Sequence, residues 1–362
     1  MSIKNPLEFF IQLHLTERCN LKCTHCYQSG KISDEMSLAE IRSVISEVSD
    51  MLREWSSAYD VTFSSSFNIT GGEPFLRQDL FDVLEELTRQ EIDAYLLSNG
   101  ILINRDNAET LAGLGVKGVQ VSIEGPEDIH DAIRGQGSLK RSLEGIKYLL
   151  DAGIEVTMNT TLSDINAPYF LEVVALASSA GVQKLGFSRL VPSGSGRNLL
   201  NKMLAQEVLK ALYSKIFSLN TGNLKIVTGD PVASCFKRPA GEDDNSSFPA
   251  SGCAAGVSGL TILPDGTVTP CRRLPVPIGN VRTDSLREIW TTSEVLNALR
   301  DRSGYDGKCG KCNKWSACRG CRAIAYEFSC SKGIQNYLAE DPQCFLSDDT
   351  TEKGGMRWQN GL

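Results

Sequence analysis

Residues 10–27 read FIQLHLTERCNLKCTHCY, an apolar run followed at once by three closely spaced cysteines. The run at 10–15 predicts a first β-strand. The loop after it carries Cys19, Cys23 and Cys26 with the spacing C-x3-C-x2-C. In α/β folds with a parallel sheet, the chemistry lies at the C-terminal ends of the strands. The loop that follows this first strand is therefore expected to belong to a functional site.

Beyond this loop, residues 10–230 alternate short apolar runs with amphipathic ones, which predicts six strand–helix units. The strands are predicted at 10–15, 67–70, 94–98, 118–123, 155–161 and 184–189. The helices are predicted near 37–54, 79–91, 106–114, 139–152, 168–180 and 203–219. Leu143, Ile146 and Leu149 follow the helical period in the fourth helix, and Gly153 is expected to cap it. The predicted fold class is α/β, with either a parallel sheet or a partial barrel.

The length of the chain, 362 residues, suggests about two domains at roughly 150 residues each. Residues 8–228 form the predicted α/β core. Residues 229–252 are polar and contain three prolines, which predicts a linker or a mobile loop. Residues 253–345 are rich in cysteine but have few long periodic segments, so bound metal is expected to stabilise them. The polar tail at 346–362 is expected to fray.

The composition excludes several classes of protein. Lys and Arg number 37 against 44 Asp and Glu, a net charge of −7, and nucleic-acid and anionic-membrane binders carry a basic surplus instead. No apolar run approaches the roughly 18 residues of a membrane span. The N-terminus lacks the pattern of a secretory signal, so a cytoplasmic location is expected. With only three histidines, a histidine-rich metal site is nearly excluded.

The 12 cysteines are distributed unevenly, with none between residues 27 and 234. Disulfide scaffolds are typical of short secreted chains, so metal or iron–sulfur ligation is favoured here. Three thiolates on the first loop can hold three irons of a [4Fe–4S] cluster and leave the fourth iron open to a small chelating molecule. A zinc site with a distant fourth ligand, and a set of buried free thiols, are the alternatives.

Two further segments carry a resemblance to a known family. Residues 68–74 read NITGGEP at the end of the second predicted strand, and residues 119–125 read VQVSIEG in the fourth. Together with the cysteine loop, they resemble the radical S-adenosylmethionine (SAM) enzymes. The resemblance implies a partial (β/α)6 TIM-like barrel in which Cys19, Cys23 and Cys26 hold a [4Fe–4S] cluster that binds SAM.

The same resemblance implies how SAM is bound. The paired glycines of G-G-E-P let the backbone approach the amino group of SAM, and the carboxylate that follows offsets its ammonium charge. Without the resemblance, the Gly-Gly pair would be a simple turn and Arg134 a surface charge. The implied SAM-binding residues are His25 beside the adenine, Gly71, Gly72, Glu73, Ser122, Arg134 for the carboxylate, Asn159 for the ribose hydroxyls and Leu190 against the adenine.

The later cysteines resemble the SPASM extension of radical SAM enzymes, which binds two auxiliary [4Fe–4S] clusters. Residues 263–268 read LPDGTV, and the Asp-Gly turn of this predicted hairpin would present the next cysteine. By this resemblance one cluster is held by Cys309, Cys312, Cys318 and Cys344, and three corners of the other by Cys253, Cys271 and Cys321.

Two features depart from the SPASM pattern. The family usually has three residues between the last two closely spaced cysteines, whereas this chain has two, Arg319 and Gly320. The eighth ligand is also open, with Cys235, Cys330 and an unliganded iron as the alternatives. A zinc ribbon built on the cysteines between 309 and 321 would leave the remaining ones unexplained.

The resemblance implies three [4Fe–4S] clusters and SAM as cofactors, with a flavodoxin or ferredoxin-like protein as reductant. The 5′-deoxyadenosyl radical from SAM would abstract a substrate hydrogen, and the auxiliary clusters would accept the surplus electron or bind the substrate. No catalytic acid or base is identified. A non-catalytic iron–sulfur or zinc protein is the alternative outside enzymes.

The expected substrate is a ribosomally made peptide, which would be oxidised or cross-linked. Maturation of a heme precursor or of a sulfatase is the alternative. Only 18 residues precede Cys19, so a peptide would be delivered by a separate recognition protein, or the substrate is a small molecule. The basic, Gly-rich run at 189–197 is either a flexible loop or a receptor for a substrate carboxylate.

Overall fold

The computed structural model describes residues 7–28, 30, 34–237 and 248–346. Seven strands run parallel and in chain order, and an eighth pairs in parallel with β1 on its other side. Two short antiparallel strands continue from there, so the sheet order is β10-β9-β8-β1-β2-β3-β4-β5-β6-β7. The strands are β1 (Leu7–His14), β2 (Phe63–Thr70), β3 (Asp93–Ser98), β4 (Gly118–Ser122), β5 (Glu155–Leu162), β6 (Lys184–Arg189), β7 (Lys225–Val227), β8 (Gly259–Ile262), β9 (Thr267–Thr269) and β10 (Gly279–Asn280).

The helices lie between and after these strands. They are α1 (Leu38–Tyr59), α2 (Leu80–Arg89), α3 (Arg105–Gly113), α4 (Glu127–Arg134), α5 (Ser138–Asp151), α6 (Phe170–Ala180), α7 (Gln206–Ser218), α8 (Ser234–Lys237), α9 (Leu286–Thr292), α10 (Glu294–Arg300), α11 (Gly307–Lys311) and α12 (Arg322–Ser331). The longest helix, α1, begins at a capping box in which Ser37 and Glu40 bond each other's backbone N–H groups. None of the described helices is both long and apolar enough to cross a membrane.

The side chains of the parallel strands alternate between an apolar and a polar face. Ile69 of β2, Val121 of β4 and Met158 of β5 are fully buried in the main hydrophobic core. Their neighbours one position along the chain face the other side of the sheet. These neighbours line a cavity with polar groups, namely Thr70, Ser122 and Asn159, together with Gln120, Thr161 and Ser188. The alternation therefore separates the structural core from the candidate site.

The predicted α/β class and its six strand–helix units are confirmed, with differences of a few residues at their ends. The prediction omits α4 and β7, because two turns of helix and a strand of three residues are too short to carry a clear hydrophobic period. The Asp-Gly turn is present, since the Gly266 N–H donates to Leu263 O at 2.9 Å between β8 and β9. Because β8 pairs with β1, the cysteine-rich region extends the sheet of the core.

The predicted linker is only partly described. Residues 229–237 form a short 3-10 turn, Pro231–Ala233, and then α8. Residues 238–247 lie outside the described residues, as does the predicted tail apart from its first position. The domain boundaries stay predictions.

Candidate active site

A cavity of about 560 Å³ lies at the C-terminal ends of the parallel strands. Its walls come from the cysteine loop after β1, from the ends of β2 to β6 and from the segment after Cys271. A cavity at this edge is the usual ligand site of parallel α/β folds. The predicted residues that line it are Cys19, Cys23, Cys26, His25, Gly71, Gly72, Ser122, Arg134 and Asn159.

The cysteine loop is held against α4 and the segment after β6 by backbone hydrogen bonds. The Thr24 N–H donates to Ile133 O at 2.9 Å, and the Gly196 N–H donates to Cys26 O at 3.1 Å. The thiols of Cys19, Cys23 and Cys26 are free and face the same cavity. Burial raises the pKa of each thiol, to about 11 for Cys19. Three cysteine sulfurs that have lost their protons are ligands for a soft metal centre.

The paired glycines after β2 allow very close contact with the start of the cysteine loop. The Gly72 N–H donates to Thr16 O at 2.7 Å, and the Glu73 N–H donates to Arg18 O at 2.8 Å. A Cβ on Gly72 would lie 2.1 Å from Arg18 O, which no side chain tolerates. The glycines therefore seat the cysteine loop as well as shaping the cavity wall.

The Glu73 side chain is fully buried and does not line the cavity. Its carboxylate accepts hydrogen bonds from Ser98 Oγ at 2.8 Å and from the Asn99 N–H at 2.9 Å. Asn99 in turn donates from Nδ2 to Asn20 Oδ1 at 2.7 Å, on the cysteine loop. Glu73 thus positions the end of β3 against that loop. Its predicted contact with the ammonium group of SAM stays a prediction.

A buried carboxylate that sequence reasoning missed, Glu124, binds two of the predicted residues. Arg134 donates to Glu124 Oε1 from Nη2 at 2.6 Å, and His25 Nε2 lies 3.2 Å from the same oxygen. The Thr161 N–H donates to Oε2 at 2.8 Å. Burial alone would raise the pKa of Glu124, but Arg134 and His25 lower it well below its usual range. Glu124 is the residue after Ile123 in VQVSIEG. This segment carries part of the family resemblance, but the sequence alone does not indicate that Glu124 binds His25 and Arg134.

Arg134 therefore has a carboxylate partner within the protein. Its Nη1 also lies 3.8 Å from Cys23 Sγ, which places a positive charge beside the cysteine loop. Its predicted pairing with the carboxylate of SAM stays a prediction, since the side chain does reach the cavity. Leu190 is buried and does not line the cavity, where the next residue, Val191, lies instead. The contact of Leu190 with adenine has no support from this geometry.

The later cysteines form two groups. Cys309, Cys312, Cys318 and Cys344 surround a second, narrow cavity. The Lys314 N–H donates to Cys312 Sγ at 3.3 Å and the Gly320 N–H to Cys318 Sγ at 3.4 Å, bonds of the kind that stabilise sulfur ligands of a metal. A hydrogen bond with Cys235, and then burial, raise the pKa of Cys318. Cys235 therefore lies beside this group.

Cys253, Cys271 and Cys321 form the other group. Cys271 packs against the hydrophobic cluster that contains Cys321, and Cys253 acts electrostatically on Cys321. The short spacing after Cys318 has a structural reason, because Arg319 and Gly320 both have left-handed backbone angles, with φ of 59° and 61°. Two consecutive residues of this kind turn the chain sharply and direct the cysteines on either side to different groups.

Cys330 does not line the narrow cavity of the first group, and its role as a possible eighth ligand stays a prediction. It lies in α12 beside Tyr326, whose pKa is raised by burial and by its contacts with Cys330. Within the parts of the chain that the structure describes, no three His, Cys, Asp or Glu side chains are arranged to hold a single metal ion.

Comparison with known proteins identifies the family. The model of the radical SAM superfamily matches residues 13–177, and that of SPASM, an iron–sulfur cluster-binding domain, matches residues 253–322. The AdoMet-dependent heme synthase of Oleidesulfovibrio alaskensis is 32% identical over 94% of this chain and 88% of its own. The chain belongs to the radical SAM superfamily. This radical SAM enzyme also resembles the mycofactocin maturase MftC of Mycolicibacterium smegmatis, at 28% identity over 86% of this chain and 77% of the relative.

Solved structures share the fold. SuiB of Streptococcus suis bound to S-adenosylmethionine has a TM-score of 0.71 at 17% identity, over 94% of this chain and 78% of that one. The structure named anSMEcpe with bound AdoMet has a TM-score of 0.70 at 19% identity, over 94% and 90%. The family implies iron–sulfur clusters and SAM, and the donor chemistry fits both. Three free thiols that could hold one cluster face a polar cavity, and two further groups of thiols are present in the SPASM region.

Proposed function

We propose that this radical SAM enzyme abstracts a hydrogen atom from a ribosomally made peptide and thereby oxidises or cross-links it. The observation that supports this most directly is that one cavity joins the thiols of Cys19, Cys23 and Cys26 to polar strand ends and to four arginines, Arg18, Arg134, Arg272 and Arg273. When bound and reduced, the cluster and SAM supply a 5′-deoxyadenosyl radical. The residues of the chain supply binding, orientation and exclusion of water.

In this proposal the cysteine loop holds the first [4Fe–4S] cluster. Gly71 and Gly72 give the amino group of SAM a backbone surface, while Ser122 and Asn159 bind its carboxylate and ribose. Glu124 keeps His25 and Arg134 in place beside the loop. The two later groups of thiols would hold the auxiliary clusters, whose chemistry would be to accept the second electron.

The shape and lining of the cavity favour a peptide. Its volume, about 560 Å³, is within the range of about 300–1,000 Å³ that suits one small ligand. Since the cluster and SAM would share this space, only a part of the substrate, such as one side chain, would enter it. Most of the lining side chains are polar, and the aliphatic ones are Leu21, Leu97 and Val191. MftC and the sporulation killing factor maturation protein SkfB of Bacillus subtilis, both 28% identical, are named as maturation proteins.

A heme precursor is the second candidate, and sequence similarity favours it. Three relatives named AdoMet-dependent heme synthase are 30–32% identical and match over 88–95% of their own length. SkfB, by comparison, matches over 68% of its length. Porphyrin propionates carry carboxylates, which the arginines of the cavity would also bind.

The test is anaerobic co-expression with the small peptides encoded beside the gene, followed by mass spectrometry. The expected result is a peptide that has lost hydrogen, formed together with 5′-deoxyadenosine, by the wild-type enzyme and not by the Cys19/Cys23/Cys26→Ala variant. Fe-coproporphyrin III and related tetrapyrroles are assayed in parallel. Loss of carbon dioxide from a tetrapyrrole with no change in any peptide would support the second candidate. Absence of 5′-deoxyadenosine from reconstituted enzyme would contradict both.

A further inference from the structure

Two adjacent arginines on the cavity wall, Arg272 and Arg273, have no carboxylate partner. Both line the cavity, directly after Cys271. Among the described residues, no Asp or Glu forms an ion pair with either one, although the chain has a net charge of −7. Cations withdrawn from water are normally paired, because the desolvation cost is otherwise not offset. Two arginines on a cavity wall that have no ion-pair partner can together bind an anion.

The two arginines are held differently. Arg273 Nη1 donates to the carbonyl oxygen of Arg189 at 3.4 Å, while its Nε is buried and has no partner among the described residues. It faces the thiols of Cys321 and Cys271, and the charge of Asp230 also acts on it, although the two side chains form no ion pair among the described residues. The Arg272 guanidinium lies over the Tyr27 ring, 5.9 Å from the centroid, and its described contacts include no hydrogen bond. Arg273 thus faces the second thiol group, whereas Arg272 is free to bind a ligand in the cavity.

The groups around Arg272 also fit an anion. Burial, and then the charge of Arg272, lower the pKa of His14 to about 3, so that His14 is neutral, and its buried Nε2 has no partner among the described residues. Arg272 follows β9, whereas Ser122 and Asn159 end β4 and β5, several strands away in the sheet order. Arg272 is therefore remote in the sheet order from Ser122 and Asn159, although it lies beside the cysteine loop through its contact with Tyr27.

We propose that Arg272, assisted by Arg273, binds a carboxylate of the substrate in the cavity of this enzyme. The inference rests on the proposed function and narrows its substrate to one that carries a carboxylate near the reacting C–H bond. In a peptide this group is an Asp or Glu side chain or the C-terminus, and in a tetrapyrrole it is a propionate. A planar guanidinium over an aromatic ring binds such a group through two parallel N–H donors.

The experiment measures how fast phenylglyoxal modifies each arginine of the anaerobic, SAM-loaded holoenzyme, by mass spectrometry of peptides. Glutarate is the probe and its neutral diamide, glutaramide, the control at equal ionic strength. We expect glutarate to slow modification of Arg272 saturably, by about tenfold, and glutaramide to leave it unchanged. Arg53, an exposed arginine 3.1 Å from Asp50, is the internal control and is expected to react equally in both.

Three results would overturn the assignment. Equal protection by glutarate and glutaramide, or none by either, means that Arg272 binds no carboxylate. Protection by SAM alone means that Arg272 belongs to the SAM site. Loss of about four irons from Arg272→Gln, with Arg272→Lys retaining them, means that the charge serves the auxiliary cluster. Formation of 5′-deoxyadenosine by the wild type is measured separately, so failure of the proposed function is distinguished from failure of this inference.

Discussion

At the scale of single residues, Gly72 is the position where one methyl group matters most. Its added Cβ would lie 2.1 Å from Arg18 O and 2.8 Å from Glu17 O, so the cysteine loop would have to move. We expect Gly72→Ala to weaken SAM binding by at least about tenfold, because a displacement of about 1 Å can cost roughly that much or more. Equilibrium binding of SAM to the anaerobic holoenzyme measures the effect.

Gly113 provides the matched control. It ends α3, and a Cβ there meets no atom within 4 Å. Gly113→Ala is expected to bind SAM like the wild type. Equal affinities for the two variants would contradict the close contact between the glycine pair and the cysteine loop.

The buried side chain of Glu73 is expected to make the stability of the protein depend on pH. Burial raises its pKa from 4.5 to about 7, so the folded protein binds this proton more tightly than the unfolded chain does. The stabilisation is fully present below pH 4.5 and is lost as the pH rises through 7, a change on the order of 3 kcal/mol. Glu73→Gln carries no titrating group and should lack this part of the slope.

The measurement is urea unfolding of SAM-free protein between about pH 5 and pH 8. Glu17, whose pKa burial also raises to about 7, contributes the same sign of slope in both proteins, so the difference between wild type and variant isolates Glu73. Parallel pH profiles for the two proteins would contradict the prediction, because they would mean that folding does not raise the pKa of Glu73.

At the scale of elements, a buried ion-pair network joins the end of β6 to the cysteine-rich region. Arg189 Nε lies 2.6 Å from Asp230 Oδ2, and its Nη2 lies 2.8 Å from Asp341 Oδ2, with all three side chains almost fully buried. Asp341 also accepts the Cys321 N–H at 2.7 Å. The network therefore connects three segments that are far apart in the chain.

Replacing Arg189 with methionine leaves two buried carboxylates without their cation. We expect Arg189→Met to lower the free energy of unfolding by about 3–5 kcal/mol. The control is Arg287→Met, which removes an exposed ion pair with Glu54 between α9 and α1 and should cost less than about 1 kcal/mol. Chemical denaturation compares the two, and similar losses would contradict the structural role of the network.

At the scale of the whole molecule, the three groups of thiols predict the metal content. Three four-iron clusters correspond to about 12 iron per chain, of which about four should be lost in the Cys19/Cys23/Cys26→Ala variant. Cys330→Ala is measured beside it, because Cys330 contacts Tyr326 and does not line the cavity of Cys309, Cys312, Cys318 and Cys344. Retention of all the iron would exclude Cys330 as the eighth ligand. Iron and acid-labile sulfide analysis measures both. About one zinc and at most four iron per wild-type chain would mean that the cysteine-rich region holds a structural zinc ion and no auxiliary clusters.

Local pattern and the motifs were sufficient for the α/β class, the six strand–helix units and nine of the residues on the cavity wall, but not for Glu73 and Leu190, which do not line it. Strand periodicity places Ser122 and Asn159 on the polar face, and the cysteine spacing places three thiols on one loop, because both depend only on neighbours in the chain. The family followed from the same short motifs, and the matches over residues 13–177 and 253–322 confirm it.

Tertiary structure alone decided which distant groups meet. The pairing of β8 with β1, the contact of Glu124 with His25 and Arg134, and the unpaired Arg272 on the cavity wall all join segments that no local periodicity relates. The direction of the Glu73 carboxylate toward β3 is of the same kind. A motif specifies which chemical groups are available, whereas folding sets their partners, because charge, burial and hydrogen bonding at a site are sums over residues that lie far apart in the chain.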